Sequence, residues 1–171
     1  MATYPQGIEE RHGSEFGTRH ATWWRLGVLV VILGIALLGF VGGGPAPTVR
    51  ISNPAASLAV TSPDRLRNGM FFETRIAAVA RAPVSNVVIA IPAGMWRDTT
   101  INSLIPGPTE EQFVDGEFRF HFGALAAGEK LGFKIDGQLN APRYGASRGR
   151  IRLLDGNREL TAVPVALKII P

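Results

Sequence analysis

Gln112-Phe113-Val114-Asp115-Gly116-Glu117-Phe118-Arg119-Phe120-His121-Phe122 is the stretch that decides the fold. Phe118, Phe120 and Phe122 recur at period two on one face, with Glu117, Arg119 and His121 on the other. That alternation belongs to a strand buried on one side. Asp115-Gly116 supplies two residues that tolerate positive φ, so the chain on either side of it folds back as a hairpin.

The same rhythm recurs outward from this hairpin. Leu131, Phe133 and Ile135 oppose Lys130, Lys134 and Asp136. Val87, Ile89 and Ile91 share a face, and Val88 with Ala90 makes that strand apolar on both sides, which marks it as central. Strands are predicted near Thr48–Ile51, Ser57–Thr61, Met70–Arg81, Ser85–Ile91, Gln112–Val114, Glu117–Phe122, Lys130–Leu139, Gly149–Leu153 and Glu159–Ile170. Asp155-Gly156 is a second hairpin signal. Pro83, Pro92, Pro106, Pro108 and Pro142 fall between strands, whereas Pro164 inside the last one marks it as an edge or a bulge. The segment Trp96–Thr109 is the least regular and reads as a long crossover between sheets. About 125 residues after Pro45 suffice for one core, and strands of this spacing without a helix predict a β-sandwich.

The run Asn86-Val87-Val88-Ile89-Ala90-Ile91-Pro92-Ala93-Gly94-Met95 is followed by Gly116-Glu117-Phe118-Arg119-Phe120-His121-Phe122-Gly123-Ala124-Leu125-Ala126-Ala127-Gly128-Glu129. Together they resemble the immunoglobulin-like repeat domain of bacterial surface proteins known as the DUF11 or conserved-repeat type. The likeness spans Asn68 to Asp155 and is carried by turn and core positions. Phe120 stands where that family commonly has tryptophan, and there is one copy in place of a tandem array. The resemblance implies an immunoglobulin-like β-sandwich and a structural or adhesive role. The expected fold class is all-β, an immunoglobulin-like β-sandwich preceded by one transmembrane α-helix.

That helix is expected from Trp23-Trp24-Arg25 through Val41, since Leu26 to Val41 carries no charged side chain. Nineteen residues at about 1.5 Å each span roughly 28 Å, close to a bilayer's hydrocarbon thickness. Trp23, Trp24 and Arg25 suit the headgroup level as membrane-interface anchors. Gly27 and Gly34 share a helix face and Gly39-x-x-x-Gly43 lies at its far end, a spacing that lets two copies of the helix pair as a homo-oligomer. Arg11, Arg19 and Arg25 precede the segment and Arg50 follows, so the N-terminus is expected in the cytoplasm. A secretory signal cleaved near Gly44-Pro45-Ala46 is the competing reading, opposed by Pro47 and by a long, acidic N-region. The expected organisation is a disordered cytoplasmic tail over 1–21, a transmembrane helix over 22–43, a linker over 44–54 and an extracytoplasmic sandwich over 55–171. This places the chain as a single-pass protein of the bacterial inner membrane with a periplasmic or extracytoplasmic C-terminal domain.

Chemistry is sparse. The 171 residues carry a formal charge of +4 and no cysteine, which excludes disulfides and thiolate chemistry. Nucleic acid is not an expected partner. His12 and His20 precede the apolar segment, and His121 stands alone in the domain without metal-ligand spacing. Glu110-Glu111 and Asp115 with Glu117 read as a solvated hairpin rim, and no nucleophile elbow is present. No catalytic residue, cofactor or metal is expected, and the chain is read as not an enzyme. A hydrolase would have to work through His121. Arg143, Arg148, Arg150, Arg152 and Arg158 gather within 16 residues around Tyr144, suited to lipid phosphates or an acidic partner, or to a solvated face balanced by Asp155 and Glu159. Trp96, in the irregular segment, suits a stacked sugar or the sealing of the core. The expected function is non-enzymatic: a domain that binds another membrane or envelope protein as an accessory or scaffolding subunit. The alternative is an envelope glycan- or lipid-binding module. The candidate interaction surface comprises Trp96, Arg148, Arg150, Arg152 and Arg158.

Overall fold

The computed structural model describes residues 18–38, 44–140 and 145–170. The chain forms two units, Met1–Leu38 and Gly39–Pro171. In the first, α1 runs from Thr18 to Leu37. The second holds eleven strands among its described residues: β1 (Thr48–Ser52), β2 (Ala56–Thr61), β3 (Arg65–Arg67), β4 (Phe71–Ala80), β5 (Val87–Pro92), β6 (Thr99–Ile105), β7 (Glu110–Val114), β8 (Glu117–His121), β9 (Lys130–Leu139), β10 (Gly145–Asp155) and β11 (Arg158–Ile170).

The helix corrects the expected transmembrane span. Among the described residues no helix is long and apolar enough to cross a membrane. α1 begins at Thr18, so Arg19, His20, Thr22 and Arg25 all lie within it, and its uninterrupted apolar part is only Leu26–Leu37. Those residues rise about 18 Å, against roughly 30 Å of hydrocarbon. The expected single-pass placement in the inner membrane, with a cytoplasmic N-terminus and an extracytoplasmic C-terminal domain, is overturned by the same finding. Trp23 and Trp24 are 74% and 61% exposed, and a Cβ added at Gly27 or Gly34 would meet open space. Most of the expected tail, and all of Gly39-x-x-x-Gly43, fall outside the described residues.

The strands form two sheets, ordered β1-β2-β4-β9-β6 and β3-β11-β10-β5-β8-β7. Their inner faces share one core. Leu58, Val60, Ile76, Phe133 and Ile135 come from the first sheet, and Val87, Ile89, Ile91, Phe120, Ile151, Leu153 and Val163 from the second. Phe120 meets Phe133 across the gap with ring centroids 5.5 Å apart. This is a β-rich, sandwich-like fold, and the period-two face of each strand supplies it.

The hairpin of β7 and β8 turns through Asp115 and Gly116 at φ 52° and 77°, and pairs Phe113 with Phe118. Positive φ at both central residues matches the right-handed twist of the flanking strands. β5 is central and buried on both faces, with β10 and β8 on either side. The second hairpin closes one residue later than the Asp155-Gly156 signal: Asp155 pairs with Arg158 across Gly156-Asn157. Pro164 lies opposite Arg150, on a length of β11 left uncovered on its other side because β3 pairs only with Lys168–Ile170. The irregular segment Trp96–Thr109 leaves the second sheet after β5, forms β6 at the edge of the first sheet and returns to the second at β7.

Candidate functional site

Two openings lead from the surface toward the core, one on each lateral flank of the sandwich, and Trp96 borders both. Its position is set locally. Pro92 ends β5, a single 3-10 turn follows over Ala93–Met95, and the Trp96 N–H donates to Ala93 O at 3.0 Å. Ala93 N donates to Gly116 O at 2.9 Å, which ties this turn to the β7–β8 hairpin. Met95 is seated over Gly149, where an added Cβ would come within 2.9 Å of its sulfur. The Trp96 ring packs on Phe118 and Phe120, with centroids at 5.3 and 5.7 Å.

On the flank bounded by β6 and β7, the outermost strands of their sheets, lies a cleft of 580 Å³. Trp96, Phe118, Phe120, Ile101 and Leu104 form its apolar floor, and Asn102 and Glu111 stand on its two walls. Asn102 is the extra residue of a β-bulge between Ile101 and Ser103. Such a bulge re-aims a side chain and increases local twist. Glu111 pairs with Phe120, so it shares the inner side of β7 with Phe113. Phe113 is 61% exposed and stacks on Phe118 at 5.1 Å, and Ile105 at the end of β6 is 53% exposed. The rings thus form a row from the surface at Phe113, through Phe118 and Trp96, to Phe120 and Phe133 inside.

On the opposite flank, between β1 and β11, is a pocket of 240 Å³ lined by Val49, Val60, Leu66, Phe72, Val165 and Leu167, with Pro47, Pro63 and Pro164 at its border. Its inner polar pair is satisfied, Ser62 Oγ lying 2.9 Å from Thr74 Oγ1.

The arginines fall on and around the outer face of the second sheet, and most are paired there. Arg150 reaches Glu159 at 3.0 Å, Arg152 reaches Glu159 at 3.4 Å and also bonds Glu117, and Arg158 reaches Asp155 at 3.4 Å. The Glu117 hydrogen bond is the main reason that Arg152 holds its proton even more firmly than usual. Arg119 donates to Asn157 at 3.0 Å and lies 3.8 Å from Asp115. Arg148 is exposed, opposite Ala166. Arg143 and Tyr144 lie outside the described residues. Val88, Ala90 and Leu154 form a small buried apolar row on that outer face, where Ala90 lies between Arg152 and Arg119 in the register. The Arg119 and Arg152 Nε atoms are buried there without a hydrogen-bond partner.

His121 lies on this face with Nδ1 3.1 Å from the Asn86 amide nitrogen. No group of three metal-ligating side chains occurs among the described residues. Asp155 accepts the backbone N–H groups of Asn86 and Ser85, both at 3.0 Å. Those bonds, that of Asn86 foremost and with help from Arg158, hold its carboxyl below the usual range. On the outer face of the first sheet, Lys134 lies 3.1 Å from both Asp136 and Glu73, which raises its pKa. Asp136 is lowered, chiefly by the Ser103 hydroxyl 2.6 Å away and then by Lys134.

The structure therefore brings Trp96 together with Asn102, Glu111, Phe113 and Phe118, and sets it apart from the arginine face. Sequence reasoning left Asn102 and Phe113 unassigned and took Glu111 as part of a solvated rim. The signal for Glu111 was present: with Asp115-Gly116 at the turn, counting back by twos from Phe113 places it on the inner side. The chain matches no protein-family model and no curated protein. The likeness to conserved-repeat domains rests on the motif residues alone.

Proposed function

We propose that this chain is a non-enzymatic interaction module whose sandwich, read as immunoglobulin-like, docks another protein along the β6–β7 flank as an accessory or scaffolding subunit. One observation carries the reading: the edge strands β6 and β7 border an open cleft, with Phe113 exposed against its Phe118 lining and Ile105 exposed on the outer side of β6. β6, Thr-Thr-Ile-Asn-Ser-Leu-Ile, has no charge and no proline, and only the Asn102 bulge blunts it. Edges of that kind accept an added strand, and the adjoining pocket takes alternate side chains. The glycan alternative leans on Trp96, whose half-buried ring is engaged with Phe118 and Phe120. The lipid alternative leans on Arg148, which is exposed, and on Arg150, Arg152 and Arg158, which already have carboxylate partners.

The test is affinity purification of the tagged full-length chain from its native cells, wild type beside a Phe113→Lys/Ile105→Lys variant shown by circular dichroism to be folded. The expected result is a stoichiometric protein partner whose recovery falls about tenfold or more in the variant, the scale of losing central interface anchors. A wild type that retains no protein, or a variant that retains the partner equally, overturns the reading.

A further inference from the structure

We infer that the cleft receives a basic side chain, a lysine or arginine projecting from an extended segment of the partner, between the Trp96–Phe118 aromatic wall and the Glu111 carboxylate. This rests on the docking reading above and adds the chemistry of what docks. Glu111 stands on the inner side of an edge strand, where Phe113 marks the apolar pattern and Phe120 is its cross-strand neighbour. An inward charge on an edge guards against sheet-to-sheet association. Here the charge also faces a cavity large enough for a side chain and floored by aromatic rings.

Two cations on strands beside the cleft are engaged on the outer faces. Arg119, on the neighbouring strand, is engaged with Asn157 and Asp115 at the outer face. Lys134 is held between Glu73 and Asp136 on the outer face of the other sheet. From Thr99 to Val114 the sequence contains no lysine, arginine or histidine, although the protein as a whole is basic at +4. The flank is thus a local acidic, aromatic site on a cationic molecule.

Its chemistry selects among side chains. An ammonium or guanidinium group is attracted to the faces of Trp and Phe and pairs with the carboxylate, while its aliphatic stem covers Ile101 and Leu104. A purely apolar side chain would desolvate Glu111 without a partner, and an acidic one would meet like charge. The Asn102 amide on the facing wall offers a carbonyl oxygen to the same donors.

The experiment pans a random heptapeptide display library on the full-length chain, on Glu111→Gln and on Phe113→Lys/Ile105→Lys. Peptides enriched on the wild type are expected to share a lysine or arginine at one position among alternating apolar residues. On Glu111→Gln the apolar pattern persists while the basic preference falls to library background. With the best synthetic peptide, replacing its basic residue by Gln weakens binding about tenfold to wild type, and no more than about twofold to Glu111→Gln, as expected for a desolvated charge pair. Enrichment without a basic preference, or a basic preference that survives Glu111→Gln, overturns the inference and leaves the docking reading standing. If no peptide is enriched on the wild type, or if the Phe113→Lys/Ile105→Lys variant enriches the same peptides equally, both are overturned.

Discussion

On the β1–β11 flank the Asn53 amide donates to Leu160 O at 2.6 Å, linking the first sheet's hairpin to the second sheet, and Lys168 N donates to Asp64 O at 2.8 Å. On the β6–β7 flank the corresponding place is an open cleft. Prolines differ in the same sense. Pro47, Pro63 and Pro164 border the first opening, and each lacks an N–H to offer an added strand, although β1 itself is an outermost strand without proline. Pro106 and Pro108 sit in the loop joining β6 to β7 and leave both edges intact. The β1–β11 flank is tied across the two sheets by those hydrogen bonds around a smaller pocket, while the β6–β7 flank keeps exposed aromatic surface beside an amide and a carboxylate. Large apolar residues therefore do different work on the two sides: Leu66 is 2% exposed and holds the fold, whereas Phe113 is 61% exposed and is available for contact.

The largest expected effect tests the wall shared by the two openings. Trp96→Ala should lower stability by about 3–4 kcal/mol, read as a fall in the urea midpoint, because its ring packs on Phe118 and Phe120 and borders both cavities. A cost below about 1 kcal/mol would break the idea that one side chain seals both sides. Next comes Leu66→Ala on the β1–β11 flank, expected to cost about 2–3 kcal/mol by the same measurement. A smaller intermediate effect comes from Asp155, which belongs to neither flank and serves as a reference. Its lowered folded-state pKa gives stability that is present above the ordinary carboxylate value of about 4 and is lost as pH falls through the folded value. Asp155→Asn should cost about 1–2 kcal/mol at neutral pH. Stability measured from pH 7 downward should then decline less steeply in the variant than in the wild type. The smallest effect sharpens the comparison most. Phe113→Lys should change stability by no more than about 0.5 kcal/mol while reducing partner recovery. A thermal or urea cost comparable to that of Leu66→Ala would mean that the β6–β7 flank is structural as well.

Much of the architecture was legible because alternation is a local property. Phe118, Phe120, Leu131, Phe133 and Ile135 announced their faces by spacing, and Val88 with Ala90 announced a central strand. β3 was missed because its three residues are held by parallel pairing with Lys168–Ile170, a hundred positions away. β6 was missed because the Asn102 bulge shifts its period between Ile101 and Leu104, so that a real strand reads as irregular. The helix misled in the other direction. Hydropathy counted on through Val41, whereas the described helix closes at Leu37 after a polar first turn.

For the candidate site, the sequence by itself determined the parts: a β-rich domain, a hairpin turning at Asp115-Gly116, a single tryptophan after the central strand, and no cysteine on which thiol chemistry could rest. Side-chain period and turn residues act between neighbours in the chain, and these features follow from them. Only the tertiary structure decided that Trp96, Asn102, Glu111 and Phe118, contributed by two sheets, border one cleft, while Arg150, Arg152 and Arg158 turn to a different face and pair with Glu117, Asp155 and Glu159 there. The physical reason is that the stacking of two twisted sheets sets which edges lie open and which side chains face across the gap, and those distances depend on the packing of the whole core.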